Sequence, residues 1–409
     1  MKVIQINLVA NLWSTGKIAA DIGEAVIAEG GESHLAYGLE YKDCNSKLIQ
    51  ITKNEFRWKI HYYLFSTILD LPGWGSWFET KMLIRKIKKI KPDIIHLHHI
   101  YWAILNINVL FHYLKEANIP VIWTFHDCWA FTGGCSHFTS LNCDKWKTQC
   151  HNCPRFIKKS KVNNIIDNSR FNYNHKKRIF NNIPNMTITT VSEWLESLVK
   201  ESYLSSNQIK VIYNGINTDV FYPRKDTESI RKKYGIKKGF VILGVASNWG
   251  KLKGLFDFMK LRKILTKDYS IILIGLTEAQ VESLPEGIIG IERTSDQNEL
   301  AALYSIADVV LSLSSEETFG LTPIEGFACG TPAIVYNNTS LPELITSEVG
   351  LVAETGNVEQ VKLAILEIKR KGKAEYTFAC RQHALNLYKR EDMARNYLNL
   401  YKELLQNEK

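Results

Sequence analysis

Residues 309–335 read VVLSLSSEETFGLTPIEGFACGTPAIV, a stretch that places two short apolar runs on either side of a helix start. The runs lie at 309–311 and 333–335, and the helix start follows Gly320. A continuous apolar run predicts a strand that is buried on both faces. Such strands in alternation with helices predict a parallel, doubly wound α/β sheet.

The same alternation extends over most of the chain. Further strands are predicted at 3–8, 93–98, 121–125, 241–245 and 270–274. A chain of 409 residues exceeds what one hydrophobic core usually serves, so two domains are expected. We place the boundary between Pro184 and Pro223, with domains at 1–190 and 191–390. A strand at 186–191, followed by Ser192 as a helix N-cap, falls at this junction. A last helix at 391–409 could pack on either domain.

The composition is that of an ordinary folded protein, with 45% hydrophobic and 23% charged residues. The apolar run at the start of the chain is too short for a signal peptide. No stretch of apolar residues is long enough to cross a membrane, so a cytoplasmic location is expected.

Positive charge is concentrated in one predicted helix, although the net charge is only +9. Six basic residues alternate with apolar ones there: Lys81, Arg85, Lys86, Lys88, Lys89 and Lys91. One interpretation is a solvated helix face. The other is a peripheral contact with the anionic inner face of a membrane, which the aromatic-rich run at 58–77 also suits. No nucleic-acid module accompanies the charge, so nucleic acid is not expected as a partner.

The segment before the helix in the opening stretch has the features of an anion and sugar site. Gly320 lets backbone N–H groups approach a ligand closely, and a helix N-terminus attracts phosphate. Carboxylates such as Glu317 and Glu325 accept hydrogen bonds from hydroxyls. The spacing also predicts Thr322 as the N-cap, with Glu325 completing a capping box. Glu325 therefore has a structural alternative, whereas Glu317 has none.

The block from Ser315 to Val335 resembles the donor-site signature of the family 4 retaining glycosyltransferases. The resemblance implies the GT-B fold, in which two Rossmann-like domains face each other across a cleft. It implies a hexosyltransferase-like enzyme of bacterial polysaccharide biosynthesis. Such an enzyme moves a sugar from a nucleotide-diphosphate-sugar donor to a saccharide, free or lipid-linked. No Asp-x-Asp motif follows a strand, so no metal cofactor is expected for catalysis.

The resemblance also implies roles for individual residues of the second half. Lys253 and Glu317 are the catalytic candidates, with Lys253 on the diphosphate and Glu317 on the sugar hydroxyls. The donor-binding candidates are Phe319, Gly320 and Leu321 through their backbone, Glu325 on the ribose, and Thr294 beneath the base. Asn248 stands where the family has an arginine. Since Asn carries no charge, Lys251 is expected to compensate. The alternative is that this segment is an exposed basic loop.

Two candidates come from the first half. Gly16 follows the first strand and resembles the family's N-terminal glycine loop near the donor, although a plain tight turn would look the same. His126 follows the strand at 121–125, where open α/β sheets bind ligands. The resemblance makes His126 a catalytic candidate near the transferred sugar, and the alternative is a satisfied, partly buried histidine. His98 is a weaker candidate on the same reasoning.

Four cysteines crowd into an excursion at 128–156 as C-x7-C-x6-C-x2-C. They are Cys135, Cys143, Cys150 and Cys153. Disulfides are disfavoured in a cytoplasmic chain, and four thiolates suit tetrahedral zinc. A structural zinc site, free cysteines and a redox-sensitive pair remain open. The excursion follows His126 and is a candidate wall of the acceptor site.

A nucleotide-sugar epimerase with the same fold is the alternative function. Such an enzyme acts on the donor alone, so it is distinguished from a transferase by turnover without acceptor.

Overall fold

The protein, represented by a computed structural model, is described at residues 1–157, 166–225 and 228–406 and forms two compact units. The first unit contains Met1–Tyr213 and Glu391–Lys409, and the second contains Asn214–Arg390. Residues 407–409 of the predicted last helix lie outside the described part.

Each unit contains one sheet in which every strand pairing is parallel, as the apolar runs predict. The first sheet has the order β3-β2-β1-β4-β5-β6-β7 and the second has the order β10-β9-β8-β11-β12-β13. The strands of the first unit are β1 (Lys2–Asn7), β2 (Glu32–Tyr37), β3 (Lys47–Gln50), β4 (Ile94–Leu97), β5 (Val121–Phe125), β6 (Met186–Thr190) and β7 (Gln208–Val211). Those of the second unit are β8 (Phe240–Val245), β9 (Tyr269–Ile274), β10 (Ile288–Ile291), β11 (Val309–Ser312), β12 (Ala333–Tyr336) and β13 (Gly350–Ala353).

Helices connect the strands in both units. The first unit contains α1 (Trp13–Ala28), α2 (Glu55–His61), α3 (Trp77–Ile90), α4 (Ile107–Glu116), α5 (Pro154–Ile157), α6 (Ser169–Phe180) and α7 (Glu193–Glu201). A π-helix over Tyr62–Ile68 continues α2. The second unit contains α8 (Glu228–Tyr234), α9 (Leu255–Ile264), α10 (Glu278–Glu282), α11 (Gln297–Ile306), α12 (Leu321–Ala328), α13 (Val358–Lys371) and α14 (Ala374–Leu387). No helix of the described residues is both long and apolar enough to span a bilayer.

The last helix, α15 (Arg390–Gln406), packs on the first unit. Its buried face includes the positions that the helical spacing predicts: Met393, Tyr397, Leu400, Tyr401 and Leu404. These side chains share one core cluster with residues of β1, α1 and β4, among them Val3, Ile22 and Ile94. Burial of this apolar face ties the end of the chain to the beginning of it.

The domain boundary lies later than the predicted one at residue 190. The structure places α7 and β7 in the first unit, because β7 pairs with β6 and the unit ends at Tyr213. Residues 191–213 therefore belong to the first unit and not to the second. The strand β7 has only four residues, QIKV, and no fully buried position, so it lacks the continuous apolar run that identifies a central strand. The predicted N-cap at Ser192 is confirmed, since its side chain accepts a hydrogen bond from the Leu195 N–H.

Candidate active site

The centre of the second sheet is the point at which the strand order reverses. β8 and β11 are neighbours there, with β9 and β10 on one side and β12 and β13 on the other. The connections that follow β8 and β11 leave in opposite directions, so a crevice opens at the carboxyl ends of these two strands. Lys253 follows β8 and Glu317 follows β11, which brings both catalytic candidates of this unit to the crevice.

Lys253 and Glu317 contact each other directly. The Lys253 ammonium donates to Glu317 Oε1 and forms an ion pair with it, and Ser314 Oγ lies 3.3 Å from the same oxygen. Both side chains remain partly exposed, at 33% and 23%. Each charge is therefore neutralised by the other, yet both groups are accessible to a ligand. An anion could take the ammonium while hydroxyl groups take the carboxylate.

The two loops that carry this pair are held together by backbone contacts. The Ser315 N–H donates to the Leu252 carbonyl over 2.8 Å. Gly254 has φ +77, and a Cβ there would lie 2.3 Å from the Leu313 carbonyl oxygen. Only glycine fits such a conformation at such a distance. The close approach of the loops sets Lys253 beside Glu317.

The backbone around Glu317 is fixed by the loop after β12. The Glu317 N–H donates to Thr339 Oγ1 over 3.0 Å. Ser340 Oγ donates to the carbonyls of Glu317 and Phe319, over 3.1 and 3.2 Å. Thr339 and Ser340 therefore hold the backbone of the site in place, and neither residue was predicted from the sequence. Their only signal is the polar run Asn338-Thr339-Ser340, a few residues after the predicted strand at 333–335.

The start of α12 differs from the predicted capping box. The helix begins at Leu321, its N-cap is Gly320 at φ +103, and no side chain caps it. Thr322 is already inside the first turn, so the prediction of Thr322 as N-cap, with Glu325 as its partner, is wrong. A glycine in the left-handed region reverses the chain within one residue, so the helix starts earlier than the threonine. A Cβ on Gly320 would lie 2.8 Å from Leu341 Cδ2.

Glu325 is held by a buried tyrosine in place of the helix cap. Tyr304 Oη donates to Glu325 Oε2 over 2.8 Å. Burial, followed by the nearby Glu325 charge, raises the pKa of Tyr304 well above its usual value. The tyrosine therefore stays a donor at any physiological pH and holds the half-buried carboxylate on the first turns of α12.

The other donor-site candidates of this unit are more peripheral. Asn248 and Lys251 are exposed on the loop after β8, and no carboxylate of the described residues forms an ion pair with Lys251. Trp249 between them is buried and donates from Nε1 to the Ile274 carbonyl over 2.8 Å, which anchors the loop. Thr294 is half-buried after β10. Nothing within the described residues joins it to the Lys253–Glu317 pair by a hydrogen bond.

In the first unit, Gly16 lies inside the first turn of α1 and is buried. A Cβ there would stand 3.0 Å from Val9 Cγ2 and 3.1 Å from the Asn11 nitrogen. The Asn11 N–H donates to the Gly16 carbonyl over 3.1 Å. Close packing against the loop after β1 thus accounts for a glycine at this position, which lies within the helix and not in the tight turn of the alternative interpretation. A role in donor binding stays a prediction.

His126 directly follows β5 and is buried in a chain of histidines. Its Nε2 lies 3.1 Å from His98 Nδ1, and His98 Nε2 lies 3.0 Å from Gln5 Oε1. Burial, followed by neighbouring imidazoles, lowers the pKa of both His98 and His126 well below the ordinary value. Both rings are therefore neutral near pH 7, and each can donate one hydrogen bond and accept one.

Asp127 is a buried carboxylate beside His126 that the sequence analysis missed. Its Oδ2 lies 3.2 Å from His99 Nε2 and accepts from Tyr101 Oη over 2.5 Å, and its Oδ1 accepts from the Trp129 N–H over 2.8 Å. Burial raises the pKa of Asp127, but the adjacent His99 imidazole and the hydrogen bonds from Tyr101 and Trp129 outweigh it and hold the pKa at about 2. The signal was available, since His99 and Asp127 follow the ends of neighbouring strands β4 and β5.

The cysteine-rich excursion folds around a small cavity of the first unit. Cys135, Cys143, Cys150 and Cys153 all line it, together with Phe138, Trp146 and Pro154. All eight cysteines of the chain are free thiols. Within the described residues no group of three or more His, Cys, Asp or Glu side chains is spaced to hold a metal ion.

Two family models match the chain in sequence. The description "Glycosyltransferase Family 4" matches residues 53–220, and "Glycosyl transferases group 1" matches residues 226–383. The first match covers most of the first unit and runs into the start of the second, and the second match lies within the second unit. Together they cover both sheets except for β1, β2 and β3.

One relative and two solved structures align over nearly the whole chain. The putative colanic acid biosynthesis glycosyl transferase WcaC of Escherichia coli K12 is 22% identical over 425 aligned residues, 99% of this chain and 100% of that protein. Sucrose-phosphate synthase of Thermosynechococcus elongatus has a TM-score of 0.75 at 18% identity, covering 100% of both chains. Anabaena Alr3699/HepE in complex with UDP and glucose has a TM-score of 0.68 at 14% identity, covering 98% of this chain and 99% of that one. The structural likeness shows a shared GT-B fold.

Proposed function

Since the chain is a glycosyltransferase of family 4 with the GT-B fold, we propose that it transfers a sugar from a nucleoside-diphosphate-sugar to a saccharide acceptor. The observation that carries the proposal is the Lys253–Glu317 pair at the crevice of the second sheet. An ammonium and a carboxylate, both partly exposed, match the two ends of such a donor. The diphosphate is an anion, and the sugar presents hydroxyl donors.

In this proposal the diphosphate displaces Glu317 from Lys253. Lys251, exposed on the same loop, supplies a second cation. The N-terminus of α12, which no side chain caps, supplies backbone dipoles. Negative charge develops on the diphosphate as the bond to the sugar breaks, and preorganised positive groups stabilise that charge. These groups belong to the protein, so the proposal assigns no catalytic metal.

The sugar and the ribose are assigned to the two glutamates. Glu317, released from Lys253, accepts from the sugar hydroxyls, with backbone N–H groups of Phe319, Gly320 and Leu321 nearby in sequence. Glu325, held on one oxygen by Tyr304, accepts from the ribose hydroxyls. His126 of the first unit, neutral and buried, is assigned to the transferred sugar. Retention with attack from the leaving-group side needs no second flanking carboxylate, unlike glycoside hydrolysis.

We further propose that the acceptor belongs to surface polysaccharide synthesis and is lipid-linked. The Escherichia coli relative bears the name of colanic acid biosynthesis. A surface of the first unit, formed by α2, the π-helix and α3, suits a lipid-linked acceptor. It exposes seven large apolar side chains: Phe56, Ile60, Tyr63, Leu64, Trp77, Phe78 and Met82. We call it the aromatic–basic surface.

The charge of the aromatic–basic surface favours an anionic bilayer as its occupant. α3 buries only Thr80, Leu83 and Ile87, so most of its lysines and arginines face solvent. The Lys81 ammonium lies 3.8 Å from the centre of the Trp77 ring, which puts a cation beside an exposed aromatic group. Cations and aromatic rings together are the composition of interfacial membrane contacts.

Turnover with and without acceptor tests the proposed function. Purified protein is incubated with a panel of nucleotide-sugars, alone and with saccharide acceptors, and products are followed by mass spectrometry. We expect a donor to raise the melting temperature and its sugar to appear only on an acceptor. Conversion of the donor to an epimer without acceptor would establish the epimerase alternative and overturn the transferase.

A further inference from the structure

The cysteine-rich excursion of the first unit has little regular structure to hold it. Between β5 and α6 the described residues form only three short 3-10 turns, at Trp129–Phe131, Thr139–Leu141 and Lys145–Lys147, and the four-residue helix α5. Nevertheless Trp146 is buried, with its ring centre 5.3 Å from that of Phe131 and 5.1 Å from that of Phe138. A metal bound within such a loop would stabilise its small core.

The four thiols of the excursion converge although they are distant in sequence. Cys135, Cys143, Cys150 and Cys153 all line one small cavity of the excursion. Gly133 accommodates this convergence, since a Cβ on it would lie 2.7 Å from Cys150 Cβ. The excursion therefore folds around its cysteines.

Backbone N–H groups point at two of the sulfur atoms. The Gly133 N–H donates to Cys150 Sγ over 3.2 Å, and the Arg155 N–H donates to Cys153 Sγ. Cys150 and Cys153 form the C-x2-C pair, and Lys145 Nζ clamps the turn between them by donating to the carbonyls of His151 and Asn152 over 3.0 and 2.9 Å. These backbone contacts fix where the sulfur atoms of the C-x2-C pair lie within the excursion.

The start of the excursion is anchored to α6 by a buried lysine. Lys176 is 2% exposed and donates from Nζ to the Trp129 carbonyl over 2.5 Å. The cysteines that follow are therefore held by a segment whose first turn is fixed.

We propose that Cys135, Cys143, Cys150 and Cys153 bind one zinc ion as a structural site. Four thiols lose four protons to solvent and give a tetrahedral Zn(Cys)4 centre; no oxidation is involved. Because no three metal-binding side chains of the described residues are spaced for a metal, binding requires the four side chains to turn inward within the excursion. The ion holds the segment that follows His126 and Asp127 in place.

Metal content tests the site independently of transfer activity. The protein is expressed with zinc in the medium, freed of any affinity tag, desalted under reducing conditions and analysed by elemental mass spectrometry. We expect one zinc per chain in the wild type and in a Cys44→Ser control, and loss of zinc in Cys150→Ser. Cys44 lies outside the excursion, near Ser46.

A measurement on the wild type covers the case in which Cys150→Ser fails to fold. X-ray absorption at the zinc edge should give four sulfur neighbours at about 2.3 Å. A spectrum with a nitrogen or oxygen neighbour would overturn the four-cysteine assignment. Absence of zinc after reconstitution, with eight titratable thiols or with a Cys135–Cys153 disulfide in the non-reduced peptide map, would overturn the site itself. None of these readouts depends on the proposed function.

Discussion

The Lys253 ammonium and the Glu317 carboxylate form an ion pair across two loops that follow the central strands of the second sheet. The groups come from positions 64 residues apart, and the Ser315–Leu252 backbone hydrogen bond brings their loops together. A pair of opposite charges that remains partly exposed contributes little to stability. Its placement in the crevice is better explained by a ligand that binds both charges.

Lys253→Ala and Glu317→Ala should each abolish measurable transfer without unfolding the protein. Loss of one preorganised charge in such a site costs about 10²–10³ in turnover, while loss of a partly exposed pair changes the free energy of unfolding by about 1 kcal/mol or less. Initial rates and melting curves of both variants check this. Lys260→Ala is a matched control, since Lys260 pairs with Asp257 on α9 and is 64% exposed. Near-normal turnover in both site variants would refute the assignment.

Tyr304→Phe should weaken donor binding more than it slows transfer. The substitution removes the 2.8 Å hydrogen bond that orients Glu325, which we assign to the ribose. Loss of such a bond to a charged group costs about 1.5–3 kcal/mol. We expect a higher donor KM with a nearly unchanged kcat.

Tyr234→Phe is the matched control for Tyr304→Phe. Tyr234 Oη donates to Glu299 Oε1 over 2.9 Å in the same unit, and neither residue is assigned to the donor. It should lower the melting temperature in a similar way while the donor KM stays at the wild-type value. Equal KM changes in both variants would contradict the role given to Glu325.

Gly320→Ala should destabilise the second unit and weaken donor binding. The residue has φ +103, and a Cβ there would press on Leu341. A non-glycine residue in this region costs roughly 1–2 kcal/mol before any clash is counted. Gly356→Ala is the control for backbone strain without a clash. Gly356 also has a positive φ, +80, but a Cβ there would have nothing within 4 Å. Unfolding in urea should show the larger loss for Gly320→Ala, and identical losses would mean that the contact with Leu341 is harmless.

Acidification should destabilise the first unit through its buried histidines. Burial lowers the pKa of His96, His98 and His126 well below 6.5, so the folded state binds fewer protons than the unfolded state once the pH falls below about 6.5. Above that pH the three histidines are neutral in both states and do not lower stability. As the pH falls toward the folded-state pKa, each histidine lowers the free energy of unfolding by up to about 1.4 kcal/mol per pH unit.

Chemical denaturation between pH 7.5 and 5 measures this effect. His98→Gln should show a shallower loss of stability with acid than the wild type, because one titrating group is removed. His112→Gln is the control, since His112 is 76% exposed on α4. Its pH dependence should follow that of the wild type, and a wild type whose stability does not fall with acid would contradict the prediction.

Replacement of two aromatic residues on the aromatic–basic surface should release the protein from anionic vesicles. Trp77 and Phe78 are 51% and 47% exposed at the start of α3. We expect the wild type to sediment with vesicles that contain phosphatidylglycerol, less so at high salt, and weakly with phosphatidylcholine alone. Trp77→Ser with Phe78→Ser should bind less, while Phe378→Ser, 75% exposed on α14, should bind as the wild type does. Equal sedimentation of all three would rule out this surface.

Much of the architecture could be predicted because a buried parallel strand is recognisable from a short run of apolar residues. The apolar runs at β1, β4, β5, β8, β9, β11 and β12 stand out from the helices between them. The strands β3 and β7 are short and only partly buried, so they carry no such signal. The boundary at residue 190 was therefore too early, since it depends on the pairing of β7 with β6, although the observed boundary after Tyr213 lies within the predicted interval from Pro184 to Pro223.

Part of the candidate site could likewise be predicted from local sequence patterns, and part could not. The sequence by itself determined which residues follow the central strands, among them Lys253, Glu317 and His126, because a strand end is a local pattern. Only the tertiary structure decided that Lys253 and Glu317 touch, that Gly320 and not Thr322 is the N-cap of α12, and that Tyr304 holds Glu325. Those contacts depend on the order of strands in the sheet and on backbone dihedral angles. Neither is set by neighbouring residues alone, because a strand pairs with residues far away in the chain.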